Sequence, residues 1–136
     1  MPKCVILSGI PCSGKSTYIK KYVKNYWIVS CDDMRGKNYK FSKENEDKIW
    51  NRFYDILNTA HTNIVIDNTN CKKVFINRIK QNLNPNLNWE IEIITFDINL
   101  FRAKIRNYFR YLKTGKYIPN TVMNNMYKNY NNLWKK

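Results

Sequence analysis

The sequence predicts an α/β fold: a small, mostly parallel sheet of about four strands, covered by helices on both faces and closed by a C-terminal helical region. Three observations lead there. Short, nearly unbroken apolar runs alternate with longer stretches of helical period, as in repeated strand–helix units. The first apolar run ends in a glycine-containing loop that opens a helix. And 136 residues, 43% of them hydrophobic, suit one core and are too few for two ordinary domains, so residues 1–136 are expected to form one.

Lys3–Ser8 carries Cys4-Val5-Ile6-Leu7 and reads as a strand buried on both faces. Glycines at 9 and 14 follow, then a helix from about Lys15 to Asn25. Tyr26–Ser30 is a second strand, ending on Asp32-Asp33. Ser42 is placed to cap a helix from Lys43 to Thr59. Asn63–Asp67 is a third strand, and Cys71 to Leu83 a third helix that Asn84-Pro85 stops. Trp89–Phe96 is the fourth strand. Asn99 caps a helix to about Lys113, which Thr114-Gly115 ends, and Pro119 opens a last helix through about Tyr130. In such a sheet the reactive groups gather at the carboxyl ends of the strands.

Composition removes several classes of function. No apolar run is long enough for a spanning helix, and the start lacks a secretory pattern. Four cysteines at 4, 12, 31 and 71, without paired spacing, and a single histidine argue against a zinc site or a catalytic triad. Reduced thiols and an intracellular, cytoplasmic setting are expected, a nuclear one being equally compatible with the thiols. Lys plus Arg is 24 against 10 Asp plus Glu, giving +14. The last acid is Asp97, and beyond it three arginines and six lysines are interleaved with aromatic rings. Cations for the backbone and rings for the bases suit a single-stranded nucleic acid. An AT-rich coding sequence, with its excess of Asn, Lys, Ile and Tyr, accounts for part of the same pattern.

The strongest local signal is Gly9-Ile10-Pro11-Cys12-Ser13-Gly14-Lys15-Ser16-Thr17, a G-x-x-x-x-G-K-S loop between a strand and a helix. Its backbone N–H groups, from Gly9 through Cys12, Ser13 and Gly14 to Thr17, can cradle phosphate oxygens at the positive end of the following helix. Lys15 supplies a full charge to the β and γ phosphates, and the Ser16 hydroxyl can ligate Mg²⁺. Asp32-Asp33-Met34-Arg35 follows the second strand: a carboxylate there can take a proton from an attacking hydroxyl, and an arginine can hold an anionic group. A capping Asp and a surface Arg are the plainer reading. Asp67 ends the third strand, placed like an acid that orients a magnesium-bound water, although Asp67-Asn68-Thr69-Asn70 is also ordinary turn chemistry. Arg102, Arg106 and Arg110 line one helix face, either a solvated stripe or a lid that reaches donor phosphates. Arg110, and after it Arg106, fits the second role.

Taken together these segments, with Thr95-Phe96-Asp97, Arg106-Asn107-Tyr108-Phe109-Arg110 and Pro119-Asn120-Thr121-Val122-Met123-Asn124-Asn125-Met126-Tyr127, follow the order and spacing of polynucleotide 5′-hydroxyl kinases. The chain resembles the kinase domain of the bacteriophage-type polynucleotide kinase–phosphatases over nearly its whole length. The resemblance implies ATP and Mg²⁺ as cofactors, with Lys15 on the phosphates and Ser16 at the metal. It implies Asp32 as the base that activates the acceptor hydroxyl, Arg35 on the phosphate beside the terminal nucleoside, and Arg106 and Arg110 on the donor phosphates. Two positions depart. Cys31 stands where the phage-type enzyme has an arginine, and the third-strand acid, found one or two places before Thr-Asn in the family, is here Asp67. The phosphatase motif Asp-x-Asp-x-Thr is absent, so a kinase alone is expected.

The resulting expectation is a P-loop kinase that transfers the γ-phosphoryl group of ATP to the 5′-hydroxyl of DNA or RNA, its lid spanning about residues 99–118. Two rivals stand beside it. One is a kinase of small molecules, acting on a nucleoside, sugar or antibiotic hydroxyl. The other is a nucleic-acid-binding module that responds to ATP without chemistry.

Overall fold

β1 (Lys3–Ser8) lies inside the sheet, because its side chains find apolar partners on both sides. In the computed structural model, which describes residues 1–135, Cys4 and Ile6 point into one layer and Val5 and Leu7 into the other. That alternation is the period of two expected of a strand, with both phases apolar. After α1 (Lys15–Tyr22) come β2 (Trp27–Val29), α2 (Cys31–Arg35), α3 (Lys43–Thr59), β3 (Ile64–Ile66), α4 (Lys73–Asn82), β4 (Glu90–Thr95), α5 (Leu100–Thr114) and α6 (Asn120–Trp134). Among the described residues the sheet has four strands, all parallel, in the order β2-β3-β1-β4.

One face packs on α3 and α4: Phe53 and Leu57, then Ile76 and Ile79, are buried against Cys4, Ile6, Ile64 and Ile66. The opposite face packs on α1, where Ile19 and Tyr18 meet Val5, Leu7 and Phe96. A third cluster, Ile10, Cys71, Ala103, Met123 and Tyr130, seats α5 and α6 against the loops that leave β1 and β3. Among the described residues no helix is long and apolar enough to cross a membrane.

The expected elements form, with local differences. α3 has the expected bounds, because the Ser42 hydroxyl accepts from the Asn45 N–H at 3.1 Å and fixes its start. α1 stops at Tyr22 rather than running to Asn25: Val23 is extended, and Asn25 turns the chain with φ at 65°. The short helix α2 was not expected. It forms because Ser30, at the end of β2, accepts from the Asp33 N–H at 3.3 Å. α6 continues past Tyr130 to Trp134, whose indole N–H donates to Ser8 Oγ at 2.9 Å.

Candidate active site

The loop after β1 is shaped by close approach rather than by glycine alone. A Cβ on Gly9 would stand 2.6 Å from Ser13 Oγ and 2.9 Å from Phe96 Cβ, so only glycine fits without a shift. The Gly9 N–H donates to the Thr69 carbonyl at 2.9 Å, which ties the loop to the end of β3. Cys12 and Gly14 both adopt left-handed backbone, with φ at 66° and 107°. Gly14 offers no side-chain cap to α1, and the first turn of α1 holds no acid, so its N-terminal N–H groups keep their positive end open.

A cleft of about 570 Å³ opens above this loop. Cys12, Ser13, Gly14, Lys15, Ser16 and Thr17 form one side of it. Asp32 and Asp33 enter from the end of β2, Asp67 from the end of β3, and Arg106, Arg110 and Lys116 from α5 and its following turn. The carboxyl ends of three strands therefore converge, as expected for a parallel sheet. Gly9 is not part of the cleft wall and acts from beneath, in the turn. Arg35 is not part of it either.

Two buried polar atoms around the cleft have no partner among the described residues: Ser13 Oγ and Arg110 Nε. Such atoms are uncommon in a folded chain, and a ligand or an ordered water can satisfy them. Lys15 donates to the carbonyls of Gly9 and Ile10, at 2.6 and 3.1 Å. Burial lowers the pKa of its ammonium, against the pull of Asp67. Burial raises the carboxyl of Asp67, with Lys15 opposing. The two groups thus feel one another across the cleft while each is partly withdrawn from solvent, a setting that an anion with its counter-cation relieves on both sides. Arg106 donates from Nη1 to the Cys12 carbonyl at 3.2 Å, which brings α5 onto the phosphate-cradling loop.

Arg35 instead faces α3. Its Nε and Nη2 donate to the two oxygens of Glu46 at 2.9 and 2.8 Å, and its Nη1 donates to Asp32 Oδ1 at 2.9 Å. The Tyr39 hydroxyl also donates to Glu46, and the rings of Tyr39 and Phe41 lie about the guanidinium. The Asp32 carboxylate remains 86% exposed and free to meet a second group.

Sequence reasoning missed several of these residues. Glu46 looks like a favourable acid in the first turn of α3, and nothing local marks it as a partner of Arg35. Asn68 and Asn70 are more than turn residues. Asn68 accepts from the Cys31 N–H at 3.0 Å and so holds the start of α2 against β3. Asn70, with φ at 47°, donates to the Leu7 carbonyl at 2.7 Å, and its own carbonyl accepts from Ser8 Oγ at 2.7 Å. Cys31 is buried, with burial pushing its thiol up to about 11, so it packs rather than reacts. Among the described residues no three His, Cys, Asp or Glu side chains are grouped to hold a metal alone. A hard cation that keeps its waters and shares ligands with a phosphate is compatible with that, and Ser16 and Asp67 both line the cleft.

A parallel sheet of this order, a phosphate-cradling loop after its first strand, and arginines arriving from a late helix define a P-loop kinase-like domain. The chain belongs to the AAA-domain family, whose profile matches residues 4–133. Its fold is similar to that of a chain in the structure of the Pnkp1/Rnl/Hen1 RNA repair complex, with a TM-score of 0.79 and 24% identity over 96% of this chain and 44% of that one. A chain in a second structure, of the Pnkp1/Rnl/Hen1 complex, gives 0.66 and 26% over 77% and 38%. A gluconokinase from Sinorhizobium meliloti 1021 gives 0.64 and 12% over 94% and 74%. This chain spans less than half the length of the two repair-complex chains. No curated protein sequence matches it.

Proposed function

We propose that this chain is a polynucleotide 5′-hydroxyl kinase that moves the γ-phosphoryl group of ATP onto the end of a DNA or RNA strand. One observation supports it most. The phosphate-cradling loop, three carboxylates from two strand ends and two helix arginines meet in one cleft, with Arg110 Nε and Ser13 Oγ buried beside it and without a partner among the described residues. The similarity to chains of an RNA repair complex and the cationic stretch beyond Asp97 favour a nucleic-acid acceptor over a neutral one.

In this reading the whole chain works as one kinase domain, and α5 with the turn to about residue 118 acts as its lid. The loop N–H groups and Lys15 bind the donor phosphates, while Arg110, with Arg106 one turn earlier, neutralises charge on the transferring group. Asp32 takes the proton of the attacking hydroxyl. Ser16 and Asp67 would hold Mg²⁺, which screens the β and γ oxygens when bound. Arg35 has five N–H donors, of which three are committed to Glu46 and Asp32. The remaining two would be left for an acceptor phosphate, which has to reach a guanidinium outside the cleft wall and clamped by Glu46.

A small-molecule kinase is the second reading, favoured by the volume of the cleft, which lies in the ordinary range for small ligands. Transfer of labelled γ-phosphate decides between them. 5′-Hydroxyl oligonucleotides should be labelled and nucleosides, sugars and gluconate should not. Labelling of a sugar in preference to an oligonucleotide end would overturn the assignment.

A further inference from the structure

α5 exposes an apolar stripe on the side away from the core. Its inner face buries Ala103 and Asn107, whose amide exchanges hydrogen bonds with the backbone of Ile118 at 2.8 and 3.3 Å. The opposite face carries Phe101, Ile105, Tyr108, Phe109 and Leu112, spaced i, i+4, i+7, i+8 and i+11, and every one of them is exposed. A helix at a protein surface ordinarily hides one apolar stripe and shows a polar one. Phe101 at 71% and Leu112 at 61% exposure are far from that rule.

This outer stripe is not flat. With the turn after α5 it forms a pocket of about 390 Å³ lined by Lys104, Ile105, Tyr108, Phe109, Tyr117 and Asn120. Tyr108 and Phe109 meet edge to face, with centroids 6.0 Å apart, and Tyr111 and Tyr117 do so at 5.6 Å. Edge-to-face pairs on exposed side chains leave ring faces uncovered. We propose that this outer face of α5 is a second nucleic-acid site, a platform on which bases of a single strand stack outside the catalytic cleft.

Charge selects that occupant. Lys104 lines the pocket, Arg102 and Lys113 lie on the same helix, and the sequence has no Asp or Glu after Asp97 to neutralise them, so a second copy laid face to face would oppose like charges. A strand offers the complement of this surface: phosphates for Lys104 and its neighbours, bases for the rings, and edges that the Asn120 amide can pair as donor or acceptor. The platform also adjoins the cleft. Arg106, Arg110 and Lys116 line the cleft, while Ile105, Phe109 and Tyr117, their direct neighbours in sequence, line the outer pocket. A strand leaving the cleft across Lys116 and Tyr117 reaches the platform. The inference deepens the kinase reading, since it assigns where the acceptor runs beyond its first nucleotides.

Binding is measured without catalysis, on 5′-phosphorylated oligonucleotides from a dinucleotide to a twentymer, by fluorescence anisotropy. Wild type is compared with Tyr108→Ala/Phe109→Ala and with Tyr117→Ala, all at exposed rings whose removal leaves the core and the thermal melt unchanged. Each lost stacking contact should weaken the long strand by about 5- to 150-fold and leave the dinucleotide unaffected. Equal affinity of the variants for the twentymer overturns the platform. So does a wild type that sediments as a dimer, with variants that are monomeric and bind strands normally, because the face is then an interface between copies. Labelled-phosphate transfer is assayed in parallel. Length-dependent binding that the ring variants abolish supports the platform even if no transfer occurs, in which case the kinase reading alone fails. Transfer with no length dependence refutes the platform alone.

Discussion

Glu46 grips Arg35 through both of its carboxylate oxygens, and the third arm of the same guanidinium reaches Asp32. A residue of α3 thereby orients a carboxylate of α2 that it does not itself touch through any hydrogen bond in the structure. The Arg35 side chain is 16% exposed, so this is a partly buried network rather than a surface pair. The hydrogen bonds from Arg35 hold the Glu46 carboxyl below its ordinary value, with burial opposing.

Glu46→Gln should therefore cost about 1–2 kcal/mol of stability at neutral pH, discounted for its partial exposure. The depressed pKa sets the sign. The folded carboxylate holds its proton less tightly than the unfolded one, so its contribution is present above the unfolded value and is lost as pH falls through the folded one. Denaturant melts of wild type and variant should converge in acid. In the proposed kinase reading the acceptor KM should rise at neutral pH with kcat little changed, because Arg35 loses its fixed direction.

If Asp32 is the proton acceptor of the proposed mechanism, Asp32→Asn should lower turnover by about 10²–10⁴ and leave ATP affinity nearly unchanged, because the donor site stays intact. Asp33 lines the same cleft and is the internal control. Near-normal turnover in Asp32→Asn with a large loss in Asp33→Asn would transfer the role to the neighbour.

Arg110→Ala should reduce kcat more than it raises the KM for ATP, by about 10³ or more, if its charge acts on the transferring group. Lysine should restore only part, because an ammonium lacks the forked donors of a guanidinium. An increase in the KM for ATP at constant kcat would show ground-state binding instead.

Asp67→Asn separates stability from metal binding. Burial raises the carboxyl pKa of Asp67, so the folded state binds that proton more tightly than the unfolded chain does. Its contribution is favourable below the unfolded pKa and is lost as pH rises through the folded one. The variant should then melt above wild type at neutral pH, and the gap should close in acid. Added Mg²⁺ with ATP should raise the Tm of wild type more than that of the variant. An equal rise in both would remove Asp67 from the cation site.

Much of this architecture is legible from local pattern. Cys4-Val5-Ile6-Leu7 reads as a strand covered on both sides, as it is in the fold, and Ser42 marks the start of α3 through a contact three residues long. The loop from Gly9 to Thr17 announces its chemistry because its donors are its own backbone. What stays hidden is wired across long separations. Glu46 reaches Arg35 from another helix, Asn68 reaches Cys31, and Asn70 reaches Leu7, and each of these amides reads as a turn residue until its partner is known. The end of α6 is hidden for the same reason, since Trp134 is held by Ser8 at the far end of the chain. The outer rings of α5 were legible as composition, but that they face outward was not, because either face of an amphipathic helix can be the buried one.

The strand order carries a consequence for synthesis on the ribosome. β1 is made before both of its neighbours: Cys4 waits for Ile64 on one side and Ile91 on the other. This largely apolar strand is therefore without a sheet partner until β3 is made, at Ile66, about halfway along the 136 residues. Unpaired strands of this kind are where nascent chains aggregate or recruit chaperones, and flanking charge is the usual protection. Lys3 supplies that charge beside Cys4-Val5-Ile6-Leu7 and, once β4 arrives, pairs with Glu92. Heterologous expression of this chain should accordingly be sensitive to Lys3 and to growth temperature, and much less so to the residues of the cleft.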